Sequence, residues 1–254
     1  VVRSLNKLLD LDLAEIEDAY QAEYAARLQR TERLATLGQV AGGIAHELRN
    51  PLNVVKTSAY YLLNARNVTP ERCVEHLRRI ERQVDLTNGA LKTLLDFARL
   101  PLPTLRSTSV EPCVREALEA YPPGDGIRVA VEPLDSLPRA VADADQLRIV
   151  FGNLIRNASE AMLLGGRLSI TGSQGEEAVE VAIADTGTGV SEADLSRILE
   201  PLYSTKSRGL GLGLAIVRSI LDKCGGQLLV ESEPGRGSVF TVRLMTAPPG
   251  HETG

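Results

Sequence analysis

A chain of 254 residues that is 43% hydrophobic and 24% charged can build two domains with separate cores and is too apolar to be disordered throughout. Its formal net charge of -5 argues against binding nucleic acid through bulk charge, and no apolar run approaches the length needed to span a bilayer. Cys73, Cys113 and Cys224 are odd in number, far apart and without metal-ligand spacing, which points to reduced thiols in a cytoplasmic protein.

With Val1 in place of an initiator Met, the chain is expected to be part of something longer. Residues 1–32 read as an N-terminal signalling helix, continuous over 5–29 ("LNKLLDLDLAEIEDAYQAEYAARLQ"). Residues 33–100 read as a helical hairpin. Leu34, Leu37, Ala41, Ile44 and Leu48 alternate spacings of three and four, a heptad seam, and Leu77, Ile80, Val84, Thr87, Leu91, Leu94 and Ala98 repeat it. Between the seams "NARNVTPER" signals a turn, with Thr69 as N-cap and Pro70 at the first helical position. One antiparallel hairpin buries two apolar stripes poorly, so a homodimeric four-helix bundle is the natural completion. A monomeric hairpin packed on the second domain is the alternative.

Proline ends the hairpin in "RLPLPTLRS", and 101–104 form a linker. Over 105–246 the periodicity is mixed. "VEPCVREALEAY" reads as a helix, "IRVAVEP" as a strand and "ADADQLRIVFGNLIRNASEAMLL" as a long amphipathic helix. "GRLSITGS" and "EAVEVAIAD" read as paired strands, "GLGLAIVRSILDKC" as a helix, and "GQLLVESE" and "GSVFTVRLM" as strands joined through "PGRG". This order predicts an α/β sandwich, one sheet with helices on one face. Residues 247–254 form a tail.

Four stretches carry chemistry. In "GGIAHELRNPLN" the seam puts His46 at the outward "f" position, with Glu47 beside it and Asn50 one turn on; Pro51 removes a backbone N–H and loosens the helix. A solitary exposed histidine is most often merely solvated, and His76 and His251 stay in that class. "NLIRNASEA" sets Asn153 and Asn157 four apart on one helix face, where amide oxygens suit Mg²⁺; two structural amides are the alternative. "DTGTGV" delivers Asp185 at a strand end, able to accept from an exocyclic amine such as that of adenine. Gly187 and Gly189 would let backbone approach a flat ligand, although an ordinary strand-to-loop turn reads the same way. In "KSRGLGLGLAIV", Gly209, Gly211 and Gly213 at a helix start can cradle phosphate, with Lys206 and Arg208 adding charge. Neither a P-loop nor a Rossmann turn is present.

Taken in order, the amide pair, "DTGTGV", "EPLYSTK" and "GLGLGL" make the second half resemble the Bergerat-fold ATP-binding domain of the GHKL superfamily. The first half resembles the dimerisation and phosphoacceptor hairpin of two-component sensor histidine kinases, and together the resemblance covers about 33–246. It implies that Asn157 and Asn153 hold Mg²⁺ on the phosphates of ATP and that Asp185 reads the adenine amine. Gly187 and Gly189 would line the base pocket, and Gly209, Gly211 and Gly213 would embrace the phosphates with help from Lys206 and Arg208. It further implies that His46 attacks the γ-phosphorus through Nε2 while Glu47 accepts a hydrogen bond from Nδ1–H. Asn50 would orient water for dephosphorylating a response regulator, whose receiver aspartate would otherwise take the phosphoryl group. The alternative is a GHKL ATPase or serine-kinase-like regulator whose hairpin only dimerises. Asn153 stands where many GHKL ATPases place a water-activating Glu, which disfavours simple hydrolysis. The chain departs from the family with Leu199, Leu202 and Tyr203 around Pro201, where Phe is frequent, and with Leu210, where Thr or Ser is frequent; these changes bear on lid packing. "LDLDLAEIEDAY" resembles the last helix of sensor globins, which implies a missing upstream haem sensor; a generic signalling coiled coil is the alternative.

Overall fold

The computed structural model describes residues 48–99, 102–201, 203, 204 and 211–248, with 16, 17, 20, 21, 23, 24, 27, 31 and 45; at 92, 93 and 96–99 it describes backbone only. The chain divides into two compact units, Val1–Leu102 and Pro103–Gly254.

In the first unit helix α1 covers 48–64 and α2 covers Pro70–Arg99. The turn between them uses Asn67 at φ 61, a left-handed conformation that asparagine tolerates better than most residues. As the sequence suggests, α2 opens at Pro70, with Thr69 Oγ1 accepting from Arg72 N–H at 3.4 Å. Across the hairpin the Tyr61 ring stacks on His76 with centroids 4.4 Å apart, and Arg72 Nη1 donates to Tyr61 OH at 3.1 Å. The heptad seam of α2 is split. Ile80, Thr87 and Leu94 are half-buried, whereas Leu77, Val84 and Leu91 remain 52%, 42% and 40% exposed. Among the described seam residues of α2, the hairpin covers one of each pair and leaves the other exposed. The N-terminal segment lies mostly outside the described residues; those described within it are helical, which suits a signalling coiled coil as well as a globin helix.

The second unit holds β1 (Arg106–Thr108), α3 (Val110–Ala120), β2 (Ile127–Val131), β3 (Ala140–Ala142), α4 (Ala144–Ala161), β4 (Gly166–Gln174), β5 (Ala178–Asp185), α5 (Glu192–Leu195), α6 (Gly213–Lys223), β6 (Gln227–Glu233) and β7 (Gly237–Met245). Five strands form one sheet in the order β2-β4-β5-β7-β6, with β2–β4 parallel and the rest antiparallel. Alternation does the rest. Val179, Val181 and Ile183 of β5, with Phe240, Val242 and Leu244 of β7, are buried beside Leu147, Phe151, Leu154 and Ile155 of α4 and Ile216 and Ile220 of α6. The opposite face carries residues such as Glu180 and Arg243, register partners joined at 3.5 Å. Helices therefore cover one face, as expected.

The long helix differs from the sequence reading at both ends. The long helix starts at Ala144, not 142, because Ala140–Ala142 pair with β1 and Asp143 caps α4 by accepting from the N–H groups of Asp145 and Gln146. The same carboxylate accepts from Thr104 N–H at 2.8 Å, tying the start of this unit to the helix. Three-residue strands show no period long enough to recognise. The helix ends at Ala161, where the chain turns at Met162 and Gly165 takes φ 90.

Candidate functional site

Asp185 ends β5 and is 6% exposed, so its carboxylate is oriented by protein and not by bulk water. Its Oδ1 accepts from Gly187 N–H at 2.8 Å, closing a tight turn directly after the strand. The glycines that follow have a reason the sequence did not reveal. A Cβ at Gly187 would lie 2.6 Å from the Ala161 carbonyl oxygen, and one at Gly189, where φ is 67, would lie 2.1 Å from Glu233 O. Thr188 N–H donates to Ala161 O at 3.2 Å and Gly235 N–H donates to Thr188 O at 2.8 Å. "DTGTGV" is thus clamped between the C-terminal turn of α4 and the β6–β7 turn. Both glycines are demanded by backbone packing within the protein, whatever ligand comes close to them, which is the strand-to-loop alternative of the sequence reading.

On α4, Asn153 is 9% exposed. Its Nδ2 donates to Ile149 O at 2.8 Å, and its Oδ1 accepts from Arg156 Nη2 at 2.6 Å. The Arg156 guanidinium also lies over the Tyr121 ring, 5.9 Å from its centroid. That ring occupies the space over Gly152, where a Cβ would come within 2.7 Å of Tyr121 Cε2. Glycine inside a helix costs about 0.5–1 kcal/mol against alanine, and here the vacancy seats Tyr121. Asn157 follows on the same face, half-buried and engaged.

Helix α6 arrives beside this pair. A side chain at Gly213 would begin 3.1 Å from Asn153 Oδ1 and 3.7 Å from Arg156 Nη2. Leu212 at the N-cap of α6 makes no side-chain cap bond and the first turn holds no acidic residue, so the positive helix N-terminus suits an anion. Gly211, at φ 60, makes the entry turn. Expectations for His46, Glu47, Lys206, Arg208 and Gly209 fall outside the described residues. Asn50 is exposed on α1.

The departure at Tyr203 has a structural partner. Its hydroxyl donates to Asp194 and its ring lies under Arg197, 4.2 Å from centroid to guanidinium carbon. Asp194 also accepts from Ser191 Oγ at 2.6 Å. The Ser191 bond, then the Tyr203 bond, hold the Asp194 carboxyl below its usual range, and the bond to Asp194 pushes the Tyr203 hydroxyl up. Arg156 and Tyr121 escaped the sequence reading. Arg156 stands three residues after Asn153 and could have been placed on its face, but Tyr121 comes from another helix and gave no local signal.

A strand-end acid, an amide-bearing helix and an uncapped glycine helix on one sheet define a nucleotide-binding α/β sandwich. Residues 142–248 match the family "Histidine kinase-, DNA gyrase B-, and HSP90-like ATPase" and residues 36–102 the "His Kinase A (phospho-acceptor) domain". The sensor histidine kinase ZraS of Escherichia coli is 32% identical over 221 residues, 85% of this chain and 47% of that protein. The crystal structure of histidine kinase ThkA in complex with response regulator protein TrrA superposes with a TM-score of 0.72 at 24% identity, covering 91% of this chain and 68% of that one. Full-length ShkA in complex with AMPPNP gives a TM-score of 0.55 at 29% identity, over 83% of this chain and 46% of that one. The chain belongs to the two-component sensor histidine kinases, of which it carries the phospho-acceptor hairpin and the ATP-binding domain. It spans about half the length of the ZraS proteins that it matches. Among the described residues no helix is long and apolar enough to cross a membrane.

Proposed function

We propose that the chain transfers the γ-phosphoryl group of ATP to His46 and passes it on to an aspartate of a response-regulator receiver domain. The observation that carries this reading is the pairing of a phospho-acceptor domain match over 36–102, which contains His46, with the Asp185, Asn157 and α6 arrangement of the second unit. Asp185 accepts from the adenine amine while its Oδ1 stays anchored to Gly187 N–H, with Gly187 and Gly189 shaping the base pocket. The α6 N-terminus, through Gly211 and Gly213 together with Gly209, Lys206 and Arg208, receives the phosphates. His46 Nε2 attacks the γ-phosphorus in line; the N–P bond forms as the bond to the β–γ bridging oxygen breaks, and ADP leaves with that electron pair. Glu47 holds the Nδ1 proton, which keeps Nε2 unprotonated for attack.

Among the described residues no His, Cys, Asp or Glu cluster is arranged to hold a metal, and a divalent cation bound with the nucleotide would find amide and phosphate oxygens here. Asn157 fits that donor chemistry, because Mg²⁺ commonly takes few protein ligands and shares substrate phosphates. Asn153, the other expected ligand, already has its amide oxygen engaged by Arg156. Mg²⁺ held at Asn157 would shield charge on the nucleotide phosphates. Exposed Leu77, Val84 and Leu91 support a homodimer through α2, and exposed Asn50 suits orientation of a water that dephosphorylates the regulator. The module works in the cytoplasm, where ATP is supplied. A globin upstream rests on the resemblance of 9–20 alone.

Incubation with γ-labelled ATP tests the reading. Acid-labile, alkali-stable label that disappears in His46→Gln supports it. Label that persists in that variant, or ATP hydrolysis with no labelled protein, overturns it in favour of a serine-kinase-like regulator or a GHKL ATPase.

A further inference from the structure

The Arg156 guanidinium is fixed on two sides by groups that do not neutralise it. Its Nη2 donates to Asn153 Oδ1 at 2.6 Å, and its carbon sits 5.9 Å from the Tyr121 ring centroid. An amide and an aromatic face steer a cation without supplying an opposite charge. The spot it occupies adjoins the start of α6, where a Gly213 side chain would begin 3.7 Å from Nη2. A second positive feature stands there, the uncapped helix terminus with no acid in its first turn. Two positive features held side by side in a domain of ATP-binding type are complementary to an oligophosphate.

Asn153 enters the same account. Both ends of its amide are committed within α4, Nδ2 to Ile149 O and Oδ1 to Arg156. A Mg²⁺ ligated by Oδ1 at roughly 2.1 Å would lie within about 5 Å of the guanidinium nitrogen, and the two cations would compete for one acceptor. The oxygen has two lone pairs, but two cations this close would repel one another across it, and the hydrogen bond holds the place for Arg156.

We propose that Arg156 contacts the phosphates of the bound nucleotide and that Asn153 is its positioning residue and not a metal ligand. The proposal rests on the nucleotide-binding reading above and adds a cation that the glycine motif does not contain. Gly152 yields its side-chain space to Tyr121, and the Tyr121 ring in turn lies against Arg156.

Calorimetric titration of the full chain with ATP, ADP and adenosine, with and without Mg²⁺, tests it. Arg156→Gln keeps a donor for Asn153 but no charge. It should weaken ATP about 10- to 100-fold, the range of a hydrogen bond to a charged group, and leave adenosine within about twofold. Arg156→Lys, which restores charge without the planar fork, should recover part of the loss. Asn153→Ala should weaken ATP while preserving the ratio of affinities with and without Mg²⁺, whereas Asn157→Ala should collapse that ratio. Equal weakening of ATP and adenosine in Arg156→Gln, or unchanged ATP binding, overturns the contact. Loss of the Mg²⁺ ratio in Asn153→Ala overturns the positioning role. A wild-type chain that binds ATP no better than adenosine would instead defeat the nucleotide reading itself.

Discussion

Replacing Gly187 by alanine sets a methyl carbon 2.6 Å from the Ala161 carbonyl oxygen, 2.8 Å from its carbon and 2.7 Å from its Cβ. Two of these three atoms are backbone at the last turn of α4, so no side-chain rotation relieves the contact. Either the Asp185–Gly187 turn or the end of α4 has to move. Overpacking of this kind costs about 1–3 kcal/mol, and a domain of this size loses roughly 2–4 °C in Tm per kcal/mol. Calorimetry on the nucleotide-free protein should therefore show the second unit melting about 2–12 °C lower. The double variant Gly187→Ala with Ala161→Gly should recover little of this, because the carbonyl oxygen and carbon remain. Nucleotide affinity should fall as well, since Asp185 Oδ1 is held by the N–H of Gly187. An unchanged melting temperature with loss of affinity alone would refute the reasoning. In that case the glycine would serve the ligand and not the packing of the turn.

Asp185→Asn should weaken adenine nucleotides about tenfold or more, as the cost of mispairing a buried charged acceptor, and should narrow the preference for ATP over GTP; an unaltered preference would exclude Asp185 from base recognition. Glutamate placed together at Leu77, Val84 and Leu91, exposed along one stripe of α2, should shift sedimentation towards monomer with helix content retained, and an unshifted dimer would move the interface elsewhere. The Tyr203 hydroxyl, raised above its ordinary value of 10.0 by donating to Asp194, contributes stability that is complete below pH 10.0 and is lost as pH rises through the raised pKa. The difference in alkaline ultraviolet titration between wild type and Tyr203→Phe should accordingly have its midpoint above 10.0, and a midpoint at or below that value would contradict the bond.

The division of labour between sequence and fold can be followed residue by residue. The turn at Thr69 and Pro70 is local chemistry, a side-chain acceptor followed by a residue that lacks an N–H, and it was legible within four letters. The strands β4, β5 and β7 were legible because alternation of buried Val, Ile, Phe and Leu with polar partners is itself the physical cause of a one-sided sheet. Strands β1 and β3 were not, because three residues pair only after a helix and a further strand have brought them together. Asp185 and the amide pair were visible as residue types in an order, and the structure adds where each carboxylate or amide oxygen is already spent.

The sequence by itself determined the two-part plan, the heptad seams of the hairpin, and the order of nucleotide-site motifs. Those features repeat at short spacing, so helix and strand periodicity display them directly. Only the tertiary structure decided why Gly187 and Gly189 must be glycine, that Asn153 is bonded to Arg156, and that Tyr121 supports that arginine through the space left by Gly152. Each of the glycine and tyrosine contacts joins segments tens of residues apart, and the steric and electrostatic constraint exists only once the sheet and α4 have set them a few ångströms from one another.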